Sequence, residues 1–316
     1  MSFLSPLVVA AISAALASLA LTPAAMRLSL RAGAVSRPGG RRIHSALIPC
    51  WGGLAIWAGW LIGLGVGLAF VRNLPEDITL SQLVGVIVGS TLLGAAGGLD
   101  DWREMRPLPK LLVQVMCAAV AFGFGVRLRG IFGYPIPGWV SGLGTVIWIV
   151  ALVNAINLID GLDGLAAGVS AIAAVSFAYL GAVRHDYAAA LMAGSLAGAS
   201  VGFLPHNFSP AKVFMGDMGS QFMGFLIASI ALLGTLKTTA AAAVLSAGLI
   251  LAVPIGDTAF AVIRRIARRQ PPFVADADHI HHRLVRGGLT DRQAVLLIYF
   301  TSALLSFAAI VLAKKG

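Results

Sequence analysis

The chain has 316 residues, 58% of them hydrophobic and 11% charged, with a formal net charge of +10 at pH 7. An ordinary soluble domain carries roughly 25% charged residues, so the composition excludes a soluble globular protein and points to an integral membrane one. The basic residues cluster between apolar segments, which assigns the charge to the membrane surface and excludes a nucleic-acid partner.

Uncharged runs cover Met1 to Met26, Ser45 to Val71, Ile78 to Leu99, Leu111 to Val126, Gly130 to Ile159, Gly164 to Val183, Tyr187 to Pro205, Met218 to Leu236, Thr238 to Gly256 and Gln293 to Ala313. Most reach or approach the roughly 20 residues needed to cross a bilayer as helix. They are solidly apolar and lack the alternation of barrel strands, so the expectation is an all-α protein of about ten transmembrane helices, forming one domain over residues 1–316. Met1 to Met26 lacks a basic n-region and reads as the first helix, not a cleaved signal. Cys50 and Cys117 sit at or within apolar segments without metal-ligand spacing, so neither a disulfide nor a zinc site is expected.

If ten helices alternate in direction, the odd-numbered connections carry sixteen Lys and Arg residues and the opposite side carries seven. By the positive-inside rule the odd connections are cytoplasmic and both termini extracytoplasmic.

The first cytoplasmic connection, Arg27 to Ile48, leads into IPCWGGLAIW. Juxtamembrane arginines are drawn to anionic lipid and glycines allow close helix packing; Arg42 and His44 are the residues here that could also bind substrate. The third run ends in Asp100, Asp101 and Glu104, three carboxylates within five residues. Magnesium is usually held by one or two carboxylates plus substrate phosphates, while the bland alternative is an acidic helix end paired with Arg103 and Arg106.

The fifth run leads into NAINLIDGLDG, residues 154–164. Asp160 and Asp163 are spaced i, i+3, so a continuing helix would place both on one face. An aspartate at the bilayer centre costs roughly 3 kcal/mol on insertion scales, which calls for a wetted helix end or a polar cavity. After the seventh run, SPAKVFMGDMGS carries Lys212, the only basic residue in its loop, and Asp217 just before another apolar run. The last cytoplasmic connection contains DHIHHRL, with His279, His281, His282 and Arg283 offering nitrogen donors to phosphate oxygens. A zinc site is the rival reading there, but no cysteine accompanies the histidines and the nearby acids are hard ligands.

Every unusual polar cluster thus falls on one side of the membrane, where the clusters can converge. Carboxylates that hold a cation, ringed by phosphate-binding groups, suit two anionic reactants joined at a membrane surface. At this point the ordered motifs GGLDDWRE, NAINLIDGLDGLAAG, PAKVFMGDMGS and DHIHHRL, with IPCWGGLAI and the PIGD segment ending at Asp257, resemble the polyprenyl-phosphate N-acetylhexosamine-1-phosphate transferases, a branch of glycosyltransferase family 4. The resemblance covers essentially the whole chain. It implies transfer of a sugar phosphate from a UDP-activated N-acetylhexosamine to undecaprenyl phosphate, with magnesium (or manganese) as cofactor and UMP released. It also implies a multi-pass protein of the bacterial cytoplasmic membrane whose active site is built from cytoplasmic loops, and a homodimer is compatible with it.

Residue by residue, the resemblance gives Asp217 as the magnesium-binding aspartate, with Asp160 as a second metal candidate. Asp100 and Asp101 match the family's acidic pair, Asp100 being the base for the lipid phosphate, and Asp100, Asp101 and Asp217 form the catalytic set. Asn157, Asp160 and Asp163 match the nucleotide loop, Lys212 the phosphate-contacting lysine, and His279, His281 and His282 the histidine motif, with Arg283 and His44 as further substrate contacts. Glu104 departs from the family pattern, where many members have Asp or Asn. HIHHRL is similar to the branch that uses UDP-N-acetylglucosamine, whereas the branch using UDP-MurNAc-pentapeptide carries three consecutive histidines.

Two other classes share parts of this pattern. A secondary transporter uses membrane carboxylates near the bilayer midplane, whereas these sit at predicted helix ends. An intramembrane aspartyl protease is suggested by Pro254, Ile255, Gly256 and Asp257, and needs a second aspartate in a facing helix.

Overall fold

A computed structural model describes residues 4–36, 47–71, 79–131, 134–234, 246–267 and 279–315. In order these form α1 (Leu4–Ala32), β1 (Val35–Ser36), β2 (Ile48–Pro49), α2 (Gly53–Phe70), α3 (Leu80–Trp102), α4 (Pro107–Gly123), β3 (Gly130–Ile131), β4 (Tyr134–Pro135), α5 (Gly138–Ile159), α6 (Leu165–Val183), α7 (Tyr187–Asn207), α8 (Gly216–Gly234), α9 (Ala252–Ala267), α10 (Ile280–Arg286) and α11 (Asp291–Lys315). Among the described residues eight helices, α1 to α3, α5 to α8 and α11, are long and apolar enough to cross a membrane. The chain is an all-helical, multi-pass membrane protein.

Some boundaries differ from the sequence expectation. The fourth expected span is the shorter apolar helix α4. Of the ninth run, Thr238 to Gly256, positions 238–245 lie outside the described residues, and the described remainder continues as α9 past Gly256 to Ala267. Pro254, Asp257, Ala261 and Arg265 are buried along one face of α9 while Phe260, Ile263 and Ile266 are exposed. That helical period carries the helix past the first charged residue, where an apolar run must stop. Strands occur as two antiparallel two-residue ladders, the second within the Gly- and Pro-rich connection Arg127 to Trp139, whose composition suits a hairpin or re-entrant turn. Each pairs residues at a chain reversal, where backbone donors and acceptors need partners between helices.

The core sits around α7 and α8, which are apolar all round and buried along nearly their whole length, as expected of helices inside a bundle. α1 and α2 pack on α7, and α3 and α5 on α8. A Cβ at Gly198 or Gly202 would run into the carbonyls of Ala11 or Ala15 on α1, so these glycines let the α1 and α7 backbones touch, the usual route to tight packing in a bilayer. Gly97 does the same for the site: a Cβ there would strike the backbone at Asp217 and Met218. The C-terminal ends of α3 and α5 and the N-terminal ends of α4 and α8 therefore meet at one end of the bundle.

Candidate active site

Asp100 lies in the last turn of α3, Lys110 in the first turn of α4, Asn157 near the end of α5 and Asp217 in the first turn of α8. The Lys110 ammonium is 2.9 Å from Asp100 Oδ2 and also bonds Asp217 Oδ2. Asn157 Nδ2 donates to Asp217 Oδ1 at 2.6 Å and to Ser220 Oγ at 2.9 Å, while Asp100 Oδ1 accepts from the Met105 amide at 2.6 Å. Both carboxylates thus face a point that one cation already occupies. Among the described residues no three His, Cys, Asp or Glu side chains form a metal-binding group. Two hard oxygens facing one cationic point nonetheless fit magnesium, whose shell substrate phosphates complete.

Asp101 points elsewhere. Its Oδ1 and Oδ2 accept from the amides of Asp217 at 2.8 Å and Met218 at 3.1 Å. A carboxylate at this position satisfies two of the free amides of a helix N-terminus and complements its dipole. Gly216 makes the entry to α8 with φ +68°, and a Cβ there would meet Cys50 O and the Asp101 carboxylate. Asp101 is thereby the anchor that fixes where Asp217 stands.

NAINLIDGLDG is not a continuing helix. α5 stops at Ile159, Asp160 is its C-cap, and Gly164 at φ +80° starts α6, a backbone conformation that glycine adopts without strain. Asp160 and Asp163 therefore stand on a turn, not on one helical face. Burial, with the charges of Asp217 and Asp163, pushes Asp160 up to about 8, because both disfavour the ionised carboxylate. Asp163 Oδ2 instead accepts from the Ala211 amide at 2.9 Å, tying the loop that carries Lys212 to the turn. Tyr299 on α11 holds the far side, donating from its hydroxyl to Gly164 O at 2.5 Å.

The histidines form a second cluster at the start of α10. His279 Nδ1 is 2.8 Å from Asp257 Oδ2, and the Ile280 amide donates to Asp257 Oδ1 at 2.8 Å. The His279 and His281 rings stack with centroids 5.8 Å apart and planes 3° from parallel, and His282 lies 4.2 Å from His281. His279 and His281 are buried, at 4% and 2% exposure, while His282 is half-buried and Arg283 exposed. Burial, followed by the charge of His282, lowers His281 to about 4. A Cβ on Gly161 would run into the His281 ring, so the 160–164 turn touches both clusters.

Behind the carboxylates a buried amide ladder crosses three helices. Asn154 Nδ2 donates to Gln114 Oε1 at 2.7 Å, and Gln114 Nε2 to Gln221 Oε1 at 3.4 Å. Gln114 and Gln221 are each 1% exposed.

The structure thus gathers Asp100, Asp101, Asn157 and Asp217, and places Asp160 and Asp163 on the adjoining turn. Lys212 and Arg283 are exposed, and His44 lies outside the described residues. Sequence reasoning missed Lys110, counted only as a loop charge, and the pairing of Asp257 with His279. Lys110 stands ten residues after Asp100 at the start of the next apolar run, a signal that could have found it. Asp257 has a histidine as partner, where the protease reading requires an aspartate.

A helical membrane bundle with carboxylates and a lysine at one end, and a histidine helix beside them, defines a polytopic membrane protein with a charged polar site at one end of the bundle. Residues 83–235 match the model described as glycosyl transferase family 4. The chain is 38% identical over 313 residues to the probable undecaprenyl-phosphate N-acetylglucosaminyl 1-phosphate transferase of Bacillus subtilis (strain 168), covering 97% of this chain and 85% of that protein. It is 33% identical to the decaprenyl-phosphate N-acetylglucosaminephosphotransferase of Mycolicibacterium smegmatis, covering 89% and 76% respectively. Against the undecaprenyl-phosphate alpha-N-acetylglucosaminyl 1-phosphate transferase of Escherichia coli K12 identity is 30%, covering 89% and 77%. The chain belongs to glycosyl transferase family 4.

Proposed function

We propose that the protein transfers N-acetylglucosamine 1-phosphate from UDP-N-acetylglucosamine to undecaprenyl phosphate, releasing UMP. The observation that carries this reading is the Asp100–Lys110–Asp217 bridge, which gathers two carboxylates and an ammonium from three helices at one point. Relatives named for this transfer, aligned over most of the chain, support the choice of sugar and acceptor.

An oxygen of the lipid phosphate attacks the β-phosphorus of the donor in line. The bond from that phosphorus to the bridging oxygen breaks, and UMP leaves with the bond's electron pair. Asp100, reaching the cluster from the end of α3, receives the acceptor's proton where one is present. Lys110 moves onto phosphate oxygens as the substrates enter. A magnesium ion bound by Asp217 would offset the charge of the diphosphate. Asn157 orients the Asp217 carboxylate, and Asp101 acts through the start of α8. The turn at Asp160 and Asp163 takes the nucleotide side, with Lys212, His282 and Arg283 around the sugar-phosphate end.

The excess of Lys and Arg on the odd-numbered connections supports a cytoplasmic face for this end of the bundle, in a bacterial cytoplasmic membrane. The test is an assay of the purified protein with undecaprenyl phosphate, magnesium and a panel of UDP-sugars. Lipid-linked product and UMP are expected with UDP-N-acetylglucosamine; no product from any N-acetylhexosamine donor would overturn the reading.

A further inference from the structure

His279 and His281 carry ring nitrogens suited to phosphate, yet the structure turns both inward. His279 Nδ1 is engaged by Asp257, and both residues are 5% exposed or less at their side chains. His281 Nε2 is buried, has no hydrogen-bond partner among the described residues, and faces the Gly161 backbone. Asp257 meanwhile holds two groups at once, the His279 ring and the Ile280 amide that begins α10. A continuous line of contacts runs from α9 through Asp257, His279 and His281 to Gly161, next to Asp160. What remains on the outer side of α10 is His282, half-buried, and Arg283, exposed.

We propose that Asp257 is a positioning residue for the transfer, seating α10 on the 160–164 turn through the stacked rings of His279 and His281 so that His282 and Arg283 face the donor. The proposal rests on the phosphotransfer reading for what His282 and Arg283 touch, and on geometry alone for the seating. Its chemistry is consistent: a buried carboxylate with a ring N–H and an amide as donors is a charge-assisted anchor, and the His281 ring, stacked on His279 and set against Gly161, serves as a flat packing surface. Asparagine at 257 keeps an oxygen for one of the two donors, so it should restore part of the seating. Phenylalanine at 281 keeps the stack and the Gly161 contact while removing the nitrogens.

The experiment uses the full chain and two readouts. In steady-state kinetics, Asp257→Ala should raise KM for UDP-N-acetylglucosamine by about tenfold, with kcat and the KM for undecaprenyl phosphate changed by less than about threefold, the pattern of lost binding made equally in ground and transition states. Asp257→Asn should fall between wild type and alanine. His281→Phe should retain clearly more activity than His281→Ala. In the second readout, amide hydrogen exchange of residues 280–286 should speed up in Asp257→Ala whether or not any sugar donor is turned over, which separates failure of this proposal from failure of the functional reading. Should Asp257→Ala not fold, Gly161→Ala, which adds one methyl against the His281 ring, should give the same rise in donor KM and the same faster exchange. Equal losses in His281→Phe and His281→Ala, an unchanged donor KM, or unchanged exchange at 280–286 would each overturn it.

Discussion

Lys110 donates to the carboxylate of Asp217 across 107 positions of sequence, and its ammonium at the same time lies 2.9 Å from Asp100. Without that ammonium the two carboxylates would face each other uncompensated at the end of a membrane bundle. A divalent cation entering between them must displace the lysine. Lys110→Ala should therefore bind manganese more tightly in the absence of substrates, as measured by calorimetry. Turnover should fall by about 100-fold or more, since the charge that meets the phosphates is gone. Weaker manganese binding in the variant would mean that Lys110 supports the cation site instead of filling it.

The adjacent aspartates should separate cleanly. Asp100→Asn should lose turnover by about 100-fold or more with little change in thermal stability, because its role lies at the reacting phosphate. Asp101→Ala should lower the melting temperature, since it removes the acceptor of two α8 amides, a loss of about 0.5–2 kcal/mol for a helix cap. Both effects are read in one pair of experiments, a melting curve and a rate. An Asp101→Ala protein as stable as wild type would assign Asp101 to the chemistry.

The amide ladder predicts a purely structural effect. Asn154→Ala leaves buried Gln114 Oε1 without its donor, at a cost of about 1–3 kcal/mol. Thermal unfolding in detergent should show the loss, while the rate per folded molecule stays near wild type.

Acid should loosen the histidine helix. The folded state holds His281 down at about 4 from an ordinary 6.5, so between those values the unfolded chain takes a proton that the folded chain refuses. Stability must fall as pH drops through that window. Asp257 acts in the same direction: burial alone would raise it, but His279 and the Ile280 amide outweigh burial and hold it below the ordinary 3.8. Its contribution is present above that value and lost as pH falls through the folded one. The melting temperature should decline from pH 6.5 toward 4, and the decline should be shallower in His281→Phe. An equal slope in the two proteins would contradict the assignment.

How much of this was legible in the sequence follows from which forces are local. Helix spans could be read because a bilayer demands some twenty apolar residues and internal satisfaction of every backbone group. Asp100, Asn157 and Asp217 could be read because a polar group at such a helix end needs a reason. Asp160 and Asp163 would share one face only if the helix continued, and the Gly164 conformation, which their spacing does not encode, breaks it. Lys110 and the Gln114–Gln221 ladder depend on contacts between distant helices, which spacing does not encode. Asp257 stands out in the sequence only through the PIGD segment, because its partner, His279, lies beyond a segment with no period to follow.

The most direct test of the account mixes the protein with donor carrying a label on the β-phosphate, with and without undecaprenyl phosphate, and follows UMP and label together. UMP should appear only when the lipid is present, with label passing to the lipid one for one and none retained on the protein. Release of UMP without lipid, or label on an aspartate of the protein, would contradict direct attack at the Asp100–Lys110–Asp217 cluster.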